Sequence, residues 1–171
     1  MDIDLFLKTY AVNVAVGMWD DYWNNTNNYY LYITDENPYR VWFIPYDYDN
    51  TLGTSVKCGV QTDSGRQDPM NWGAKSNPLV YKILQNPSWR MHYRNLLQEL
   101  CGEGGDCSYP RASERIMAWQ ALIADFVSND TGEDMTVSDR PAYWSNHPEY
   151  RLLEDGGNNF FRVKSAVVAE L

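Results

Sequence analysis

The chain has 171 residues, 44% hydrophobic and 22% charged, so it is long enough to bury one core and has an ordinary globular composition. Its formal net charge of −9 argues against DNA as the main partner and fits a protein that binds cations or a basic protein substrate. No stretch approaches the roughly 20 continuous apolar residues of a membrane-spanning helix, so we expect a single domain over residues 1–171 with no nucleic-acid partner and no membrane-spanning segment.

The first predicted elements are a helix and a β-hairpin. "DLFLKTYAVNVAVGMW", residues 4–19, has apolar residues at helical spacing, and Asp2 or Asp4 can cap its start. The following "DDYWNNTNN" is rich in Asn and Asp, which bond their own backbone, so it is predicted to be a polar loop. "YYLYIT" (29–34) and "RVWFIPY" (40–46) are β-rich runs joined by a short turn, which indicates a hairpin.

The second half of the chain is predicted to be helical. Residues 49–77 are rich in Gly, Asn, Asp and Ser and predict a long loop. Four helical segments follow: "NPLVYKILQ" with Asn77 as cap, "PSWRMHYRNLLQELC" with Ser88 as cap, "YPRASERIMAWQALIADFVSND", and "FFRVKSAVVAEL". In the third segment the residues expected to share a core face are Ile116, Trp119, Leu122, Ile123 and Phe126. The predicted fold class is therefore α+β, mostly α, with one β-hairpin near the start.

The cysteines and histidines give weak signals. Cys58, Cys101 and Cys107 form neither a zinc set nor an even disulfide framework. Cys101 and Cys107 flank a tight glycine loop, and they are about as well explained by a disulfide as by two free thiols. His92 and His147 are far apart in the sequence, so we expect them at the surface or packed between helices.

The informative pattern is a pair of acidic clusters separated by the hairpin. The clusters are Asp20 with Asp21, after the first helix, and Asp47 with Asp49, after the second strand. Antiparallel pairing returns the chain to its starting point. We therefore expect Asp20, one of Asn27 or Asn28, and Asp47 to lie together at one end of the hairpin.

Clustered carboxylates raise each other's pKa unless a cation compensates them. Oxygen ligands from Asp and Asn suit Mg²⁺, which takes one or two carboxylates together with phosphate oxygens. Protein kinases use an Asp to accept the substrate's proton, then an Asn and a second Asp to hold the metal ions. The order of residues here matches that arrangement, although a single Asp-Asn loop is more often a solvated turn. A Ca²⁺ loop of EF-hand type is excluded, since Leu52 and Cys58 stand where its Gly and Glu are required.

The residues carry a family resemblance. "NVAVGMWDDYWNNTNNYYLY" followed by "YRVWFIPYDYDNTLG" resembles the CotH (spore coat protein H) kinase family over roughly residues 3–53. "NPLVYKILQNPSWRMHYRNLLQEL" resembles the family's next helical segment. The departures are Met18, Tyr46 and Leu52, where the family usually has Asn, Trp and Phe, and none of them removes a charged site residue. The resemblance implies a protein-kinase-like fold that transfers the γ-phosphate of ATP to Ser or Thr of a protein, with Mg²⁺.

The resemblance also implies roles for individual residues. Asp20 would be the catalytic proton acceptor, and Asn28 and Asp47 would bind the metal. Asp49 would share the metal or stabilise its loop. Asp21 would substitute for Asp20 or support it as a neighbour. Asn27 is the alternative to Asn28 as the metal-binding asparagine. Gly53 would let the chain turn after the loop.

The family's ATP-binding N-terminal lobe would lie upstream of Met1, and the sequence contains no GxGxxG motif. We therefore expect the chain to be a C-terminal lobe that phosphorylates weakly by itself. The alternative is a non-catalytic binding or adhesion module, because the chain is rich in aromatic residues that suit recognition surfaces. For either function an extracellular, spore-surface or cell-surface location is favoured. Asn24 begins an Asn-Asn-Thr sequon that overlaps the proposed catalytic loop.

Overall fold

A computed structural model describes residues 1–54, 63–124 and 150–171. Its helices and strands are α1 (Ile3–Ala15), α2 (Tyr22–Asn25), β1 (Tyr29–Ile33), β2 (Val41–Pro45), α3 (Pro78–Ile83), α4 (Pro87–Cys101), α5 (Tyr109–Ile123) and α6 (Phe160–Ala169). A 3-10 turn covers Pro69–Asn71. The described residues therefore confirm the expected α+β class, mostly helical with one antiparallel hairpin. Among them no helix has the length and apolar character needed to cross a membrane.

Helix α1 forms the centre of the main core. Asp2 caps it, with its Oδ1 accepting a hydrogen bond from the backbone N–H of Leu5 at 3.0 Å. The residues of α1 that are almost completely buried are Phe6, Leu7, Tyr10, Ala11, Asn13, Val14 and Ala15. This face packs on α4, and His92 of α4 contacts Asp4 of α1 through Nε2 and Oδ1 at 2.6 Å. The prediction that His92 packs between helices is confirmed, whereas His147 lies outside the described residues.

One face of the hairpin packs on the core at Tyr29 and Phe43, although Leu31 and Ile33 on the same face are 52% and 58% exposed, and the other face is exposed. Its register pairs Tyr29 with Pro45 and Ile33 with Val41. On the packed face the rings of Tyr29 and Phe43 stack at a centroid distance of 5.4 Å, and Phe43 also meets Phe6 of α1 edge-on at 5.2 Å. The other face, which we call the outer hairpin face, consists of Tyr30, Tyr32, Trp42, Ile44 and Tyr46, each at least 40% exposed.

A second apolar cluster lies beneath the loop that follows the hairpin. Its buried members are Ala112, Tyr150, Leu152, Phe160 and Phe161, contributed by α5, α6 and the segment before α6. Gly53 has a φ of +93°, and a Cβ at this position would collide with the ring of Tyr150. The turn predicted at Gly53 thus needs glycine for two reasons, its backbone conformation and the close approach of an aromatic ring.

Two helix predictions are wrong in detail. Asn86, not Ser88, caps α4, because its Oδ1 accepts the N–H groups of Ser88 at 2.9 Å and Trp89 at 3.3 Å. On α5 the supposed core residues Trp119 and Leu122 are 59% and 72% exposed, and Ile123 is 50% exposed. Helical spacing shows which residues share a face but does not show whether another element covers it. Phe126 lies outside the described residues.

Cys101 and Cys107 are free and buried. Of the two alternatives left open by the sequence, the structure therefore shows the reduced thiols. Burial raises the pKa of Cys101 to about 12 and that of Cys107 to about 11. Both side chains consequently stay protonated and act as apolar packing groups at neutral pH. Cys58 lies outside the described residues.

Candidate functional site

Three asparagine side chains converge on Asp20, in the segment between α1 and α2. The Nδ2 of Asn25 donates to Asp20 Oδ1 at 2.6 Å, and the Nδ2 of Asn28 donates to Oδ2 at 3.0 Å. The Nδ2 of Asn27 lies 3.3 Å from both oxygens. Every contact is an amide donor to a carboxylate oxygen, so the three amides fix the orientation of this carboxylate.

A tight backbone turn brings the three amides to Asp20. The sequence predicted a loop here, but a single helical turn, α2, opens it, and the N–H groups of Asn25 and Asn27 both donate to Asp21 O. Thr26 and Asn28 follow with φ values of 55° and 53°, in the left-handed region. Asn adopts this region readily, whereas a β-branched Thr does so at a cost on the order of 1–3 kcal/mol. The fold therefore maintains a strained turn where the amides meet the carboxylate.

Asp21, the neighbour of Asp20, is only 1% exposed. Its Oδ1 accepts the N–H of Asn24 at 2.9 Å and so caps α2. Burial raises the pKa of Asp21 to about 8, and the charge of Asp20 adds to the increase, while hydrogen bonds from the Asn24 backbone and the Trp72 side chain oppose it. Asp21 is therefore mostly protonated at neutral pH and lies beneath the surface that Asp20 forms.

Asp47 lies at the same end of the hairpin as Asp20. Antiparallel pairing continues one residue beyond the strands, where the N–H of Tyr46 donates to Asn28 O at 3.1 Å. Asp47 comes next, with a φ of 59° and an exposed side chain. The pKa of Tyr46 is raised by partial desolvation, then by Tyr30, and further by the charges of Asp47 and Asp20. The structure therefore links Asn28 to Asp20 by a hydrogen bond, and it places Asp47 next to Tyr46, the residue that pairs with Asn28.

The loop after Asp47 is anchored to the end of α1. Tyr48 donates its hydroxyl to the buried Asn13 Oδ1 at 2.6 Å, and the N–H of Leu52 donates to Val16 O at 2.7 Å. Burial raises the pKa of Tyr48 to about 12, so this hydroxyl stays a donor. Asp49 projects from the loop with an exposed side chain. Because α1 also leads directly into Asp20, one helix end positions both acidic clusters.

The oxygen atoms at this end of the hairpin fit Mg²⁺. A carboxylate attracts the NH₂ of an amide, so Asn28 turns its Nδ2 to Asp20 and leaves its Oδ1 free to act as a ligand. Asp47 and Asp49 add exposed carboxylates. Within residues 1–54, 63–124 and 150–171, no group of three or more His, Cys, Asp or Glu could hold a metal ion. The donor types present, exposed carboxylates and an amide oxygen, are among those that bind Mg²⁺ together with water and phosphate oxygens.

Sequence reasoning missed two features of this region. Asn25 makes the shortest contact to Asp20, whereas the sequence pattern predicts only Asn27 or Asn28 as its neighbour. The position of Asn25 in the same Asn-rich segment is the sequence feature that indicates this contact. Asn24, the sequon residue, is only 9% exposed, and both of its side-chain polar atoms are buried. A glycan needs an accessible amide, so the folded structure does not present this sequon for modification.

The sequence is similar to known proteins over most of its length. A sequence model of the CotH family, described as CotH kinase protein, matches residues 1–153. The chain is 24% identical over 104 residues to Spore coat protein homolog 1 of Rhizopus delemar (strain RA 99-880). That alignment covers 57% of this chain and 16% of the relative, so the chain spans only a small part of that protein. No solved structure matches the chain.

Proposed function

The chain belongs to the CotH kinase family, and from this premise we propose that it takes part in Mg²⁺-dependent transfer of the γ-phosphate of ATP to Ser or Thr of a protein substrate. The observation that carries the proposal is the Asp20 carboxylate held by three amides beside the exposed Asp47. Phosphoryl transfer depends mainly on positioning and on charge neutralisation. The fixed carboxylate would supply positioning, and the oxygen ligands would hold the Mg²⁺ that neutralises charge.

In this proposal Asp20 is the catalytic residue that accepts the proton of the attacking hydroxyl. The amides of Asn25, Asn27 and Asn28 orient the carboxylate, and the substrate hydroxyl would donate to one of its oxygens. A general base contributes about 10²- to 10⁴-fold when it lies within hydrogen-bonding reach of the proton it removes. Fixing the rotamer in advance reduces the entropy lost when the substrate binds.

Asn28, through its Oδ1, and Asp47 are the residues that would hold Mg²⁺, with Asp49 as a further ligand or as a charge that stabilises the loop. When bound, the ion neutralises charge on the phosphate oxygens. Both primary ligands have left-handed backbone conformations. The Tyr46–Asn28 backbone pair fixes the spacing between them. Asp21 and Gly53 support the two loops from beneath, and Asn27 stays the alternative to Asn28.

The described residues supply acids and amides to the site but no cationic clamp for the nucleotide. The sequence has no GxGxxG motif, and the absence of such a clamp can cost on the order of 10³-fold in rate. We therefore expect the 171-residue chain to transfer phosphate slowly by itself. Turnover equal to that of a longer protein with the family's N-terminal lobe would refute this expectation.

The experiment that tests the function is Mg²⁺-dependent binding of ATP to the chain. The comparison is between the wild-type chain and Asp47→Asn, with Asp35→Asn as the matched control, because Asp35 is an exposed aspartate at the opposite end of the hairpin. We expect binding to require Mg²⁺, to fall at least tenfold in Asp47→Asn and to stay unchanged in Asp35→Asn. Equal binding by all three proteins would refute the proposed ligand set.

The outer hairpin face favours a second candidate function, a surface binding module. Tyr30, Tyr32 and Trp42 expose large aromatic rings, a composition found in protein interfaces. The name of the Rhizopus delemar relative, a spore coat protein homolog, supports a location at the spore surface. Asp47→Asn separates the two candidates, because it abolishes ATP labelling by a kinase but leaves an adhesive module able to bind its partner.

A further inference from the structure

The unpaired cations of this acidic protein are clustered. Among the described residues, the cations that form ion pairs with carboxylates are Lys8, Arg40, Arg66, Arg111, Arg115, Arg151 and Arg162. The buried Lys164 donates to Ser64 O instead. The cations without an ion pair in this part of the chain are Lys75, Lys82, Arg90 and Arg94. All of them lie in the segment from the loop before α3 to the first half of α4.

Two of these cations line one small cavity of about 110 Å³, which we call the basic pocket. Its full lining is Trp23, Met70, Asn71, Gly73, Lys75, Tyr81, Leu84, Gln85 and Arg90. Lys75 and Arg90 contribute positive charge and Gln85 contributes a side-chain amide, whereas the Nδ2 of Asn71 already donates to Asp68 Oδ2 at 2.5 Å. No carboxylate is among the lining residues. The Lys75 ammonium lies 6.0 Å from the centre of the Tyr81 ring, which favours keeping the charge at that position.

The neighbouring cavity shows what distinguishes the basic pocket. That larger cavity, of about 510 Å³, is lined by Arg90 and Arg94 but also by Asp68 and Glu170. Two carboxylates thus accompany two cations in the lining of the larger cavity, whereas the lining of the basic pocket has two cations and no carboxylate. Arg90 lies on the boundary between the two cavities and is the one cation that lines both. The excess of positive charge is confined to the smaller, basic pocket.

We propose that the basic pocket binds the phosphate group of a phosphoserine or phosphothreonine in a protein segment. The small cavity and its two cations suit a compact anion such as a phosphate group. A guanidinium offers paired donors to phosphate oxygens, and an ammonium adds a point charge. The whole chain carries a net charge of −9, so its overall field repels anions. The attraction for the phosphate group would therefore come from the cations of the pocket itself.

The basic pocket is joined to the loop that carries Asp20. Trp23, in the pocket wall, is part of α2, and its carbonyl accepts hydrogen bonds from the Ala74 N–H at 3.1 Å and from Asn77 Nδ2 at 2.6 Å. Asn77 also donates to Tyr22 O at 3.0 Å. The segment that carries Lys75 is thus fixed to the helix that follows Asp20. The wall of the basic pocket and the loop that carries Asp20 therefore share α2.

The assignment of the phosphate to a phosphoserine or phosphothreonine rests on the proposed function, because a Ser/Thr kinase generates this group on its own substrate. A substrate with several acceptor residues would then be retained after the first transfer. The binding itself requires neither ATP nor Mg²⁺. It can therefore be measured separately from catalysis, and its failure is distinguishable from a failure of the proposed activity.

The test is fluorescence anisotropy of a labelled, Gly- and Ala-rich peptide that carries one phosphoserine, titrated with the full chain without ATP. We expect saturable binding of this peptide and none of the same peptide with unmodified serine. Arg90→Gln and Lys75→Gln should each weaken binding about tenfold or more, the loss typical of a charge-assisted hydrogen bond. Lys82→Gln removes an unpaired cation of the same segment that lies outside the pocket, and it should change binding less than about twofold.

Equal binding of the serine and phosphoserine peptides, or an equal loss in Lys82→Gln and Arg90→Gln, would overturn the proposal. Inorganic phosphate provides a further comparison. If it displaces the peptide only at much higher concentration than unlabelled phosphopeptide does, the protein source is supported, whereas equal potency assigns the pocket to free phosphate and refutes it. Phosphopeptide binding by a chain that shows no phosphotransfer would count against the proposed activity alone.

Discussion

Asp20 and Asp21 are adjacent in the chain but belong to different regions of the molecule. Asp20 lies on the partly exposed rim of the candidate site, where side-chain amides surround it, together with Asp47. Asp21 lies in the buried backing of the site, where it caps a helix and where burial raises its pKa to about 8. Substitution of the partly exposed site residues, such as Asp20, should therefore lower the rate of phosphotransfer. Substitution of the buried residues beneath them, such as Asp21, should instead change the free energy of unfolding.

The largest expected effect is a pH dependence of the free energy of unfolding that arises from the buried Asp21. Burial raises the pKa of Asp21 in the folded state from 3.8 to about 8, so between these values the folded chain holds a proton that the unfolded chain has lost. The free energy of unfolding should therefore fall as pH rises from about 4 to about 8, by up to about 1.4 kcal/mol per pH unit from this group.

Asp21→Asn keeps the shape of the side chain and removes its titration, so its stability profile should be flatter than that of the wild-type chain. Urea unfolding across this pH range measures the difference. The control is Asp35→Asn, an exposed aspartate at the opposite end of the hairpin, which should retain the wild-type slope. Parallel profiles for the wild-type chain and Asp21→Asn would show that Asp21 is not protonated in the folded protein.

The second effect is the loss of chemistry at the rim. Asp20→Asn should lower phosphotransfer by about 10³-fold, because an amide cannot accept the substrate's proton. Its cost in stability should be only about 1 kcal/mol, since the lost hydrogen bonds are partly exposed. Steady-state rates and urea unfolding of the same preparation measure the two quantities. A mutant that keeps its rate, or loses it only by unfolding, would contradict the assignment of Asp20.

A smaller effect is expected from substitution of Gly53, which packs against the ring of Tyr150. Gly53→Ala introduces a Cβ that collides with Tyr150, at a φ of +93° that disfavours any side chain. We expect a loss of about 2–4 kcal/mol in unfolding free energy, from strain and displacement of the ring. Gly156→Ala is the matched control, because nothing lies within 4 Å of a Cβ at that position. A similar effect of both substitutions would contradict the contact described here.

The smallest effect concerns the anchor of the loop that carries Asp47. Tyr48→Phe removes the hydroxyl that donates to Asn13 Oδ1 and leaves this buried acceptor without its donor. The expected cost is about 1–2 kcal/mol of stability. Tyr32→Phe, on the outer hairpin face, should cost less than about 0.5 kcal/mol because Tyr32 is 58% exposed. Thermal unfolding of the two variants checks this ranking, and a larger loss in Tyr32→Phe would reverse it.

Much of the local structure was predictable from the sequence. The hairpin strands, predicted over 29–34 and 40–46, are Tyr29–Ile33 and Val41–Pro45. Asp2 caps α1 as one of two residues proposed for that role. The proximity of Asp20 and Asn28 was also foreseen, since an antiparallel hairpin must return its second strand to the start of its first. The kinase-like C-lobe stays a prediction, as do the roles of the individual site residues.

Other features could not be predicted, because they depend on distant parts of the chain. Ser88 and Asn86 are both good caps, and only the path of the chain into α4 decides between them. The apolar face of α5 is a regular pattern, yet Leu122 on it is exposed. Nothing in "WDDYW" shows that Asp21 is buried beneath Trp72 while Asp20 stays within reach of three amides.

The sequence by itself therefore determined the family, the hairpin, the order of the helices other than α2, and the proximity of Asn28 to Asp20. These follow from spacing and from hydrogen bonds between near neighbours in the chain. Only the tertiary structure decided which aspartate is buried, which helix face is covered and that Lys75 and Arg90 share one pocket. The physical reason is that burial and electrostatic environment depend on which remote surfaces meet, and the pattern within one segment does not contain that information.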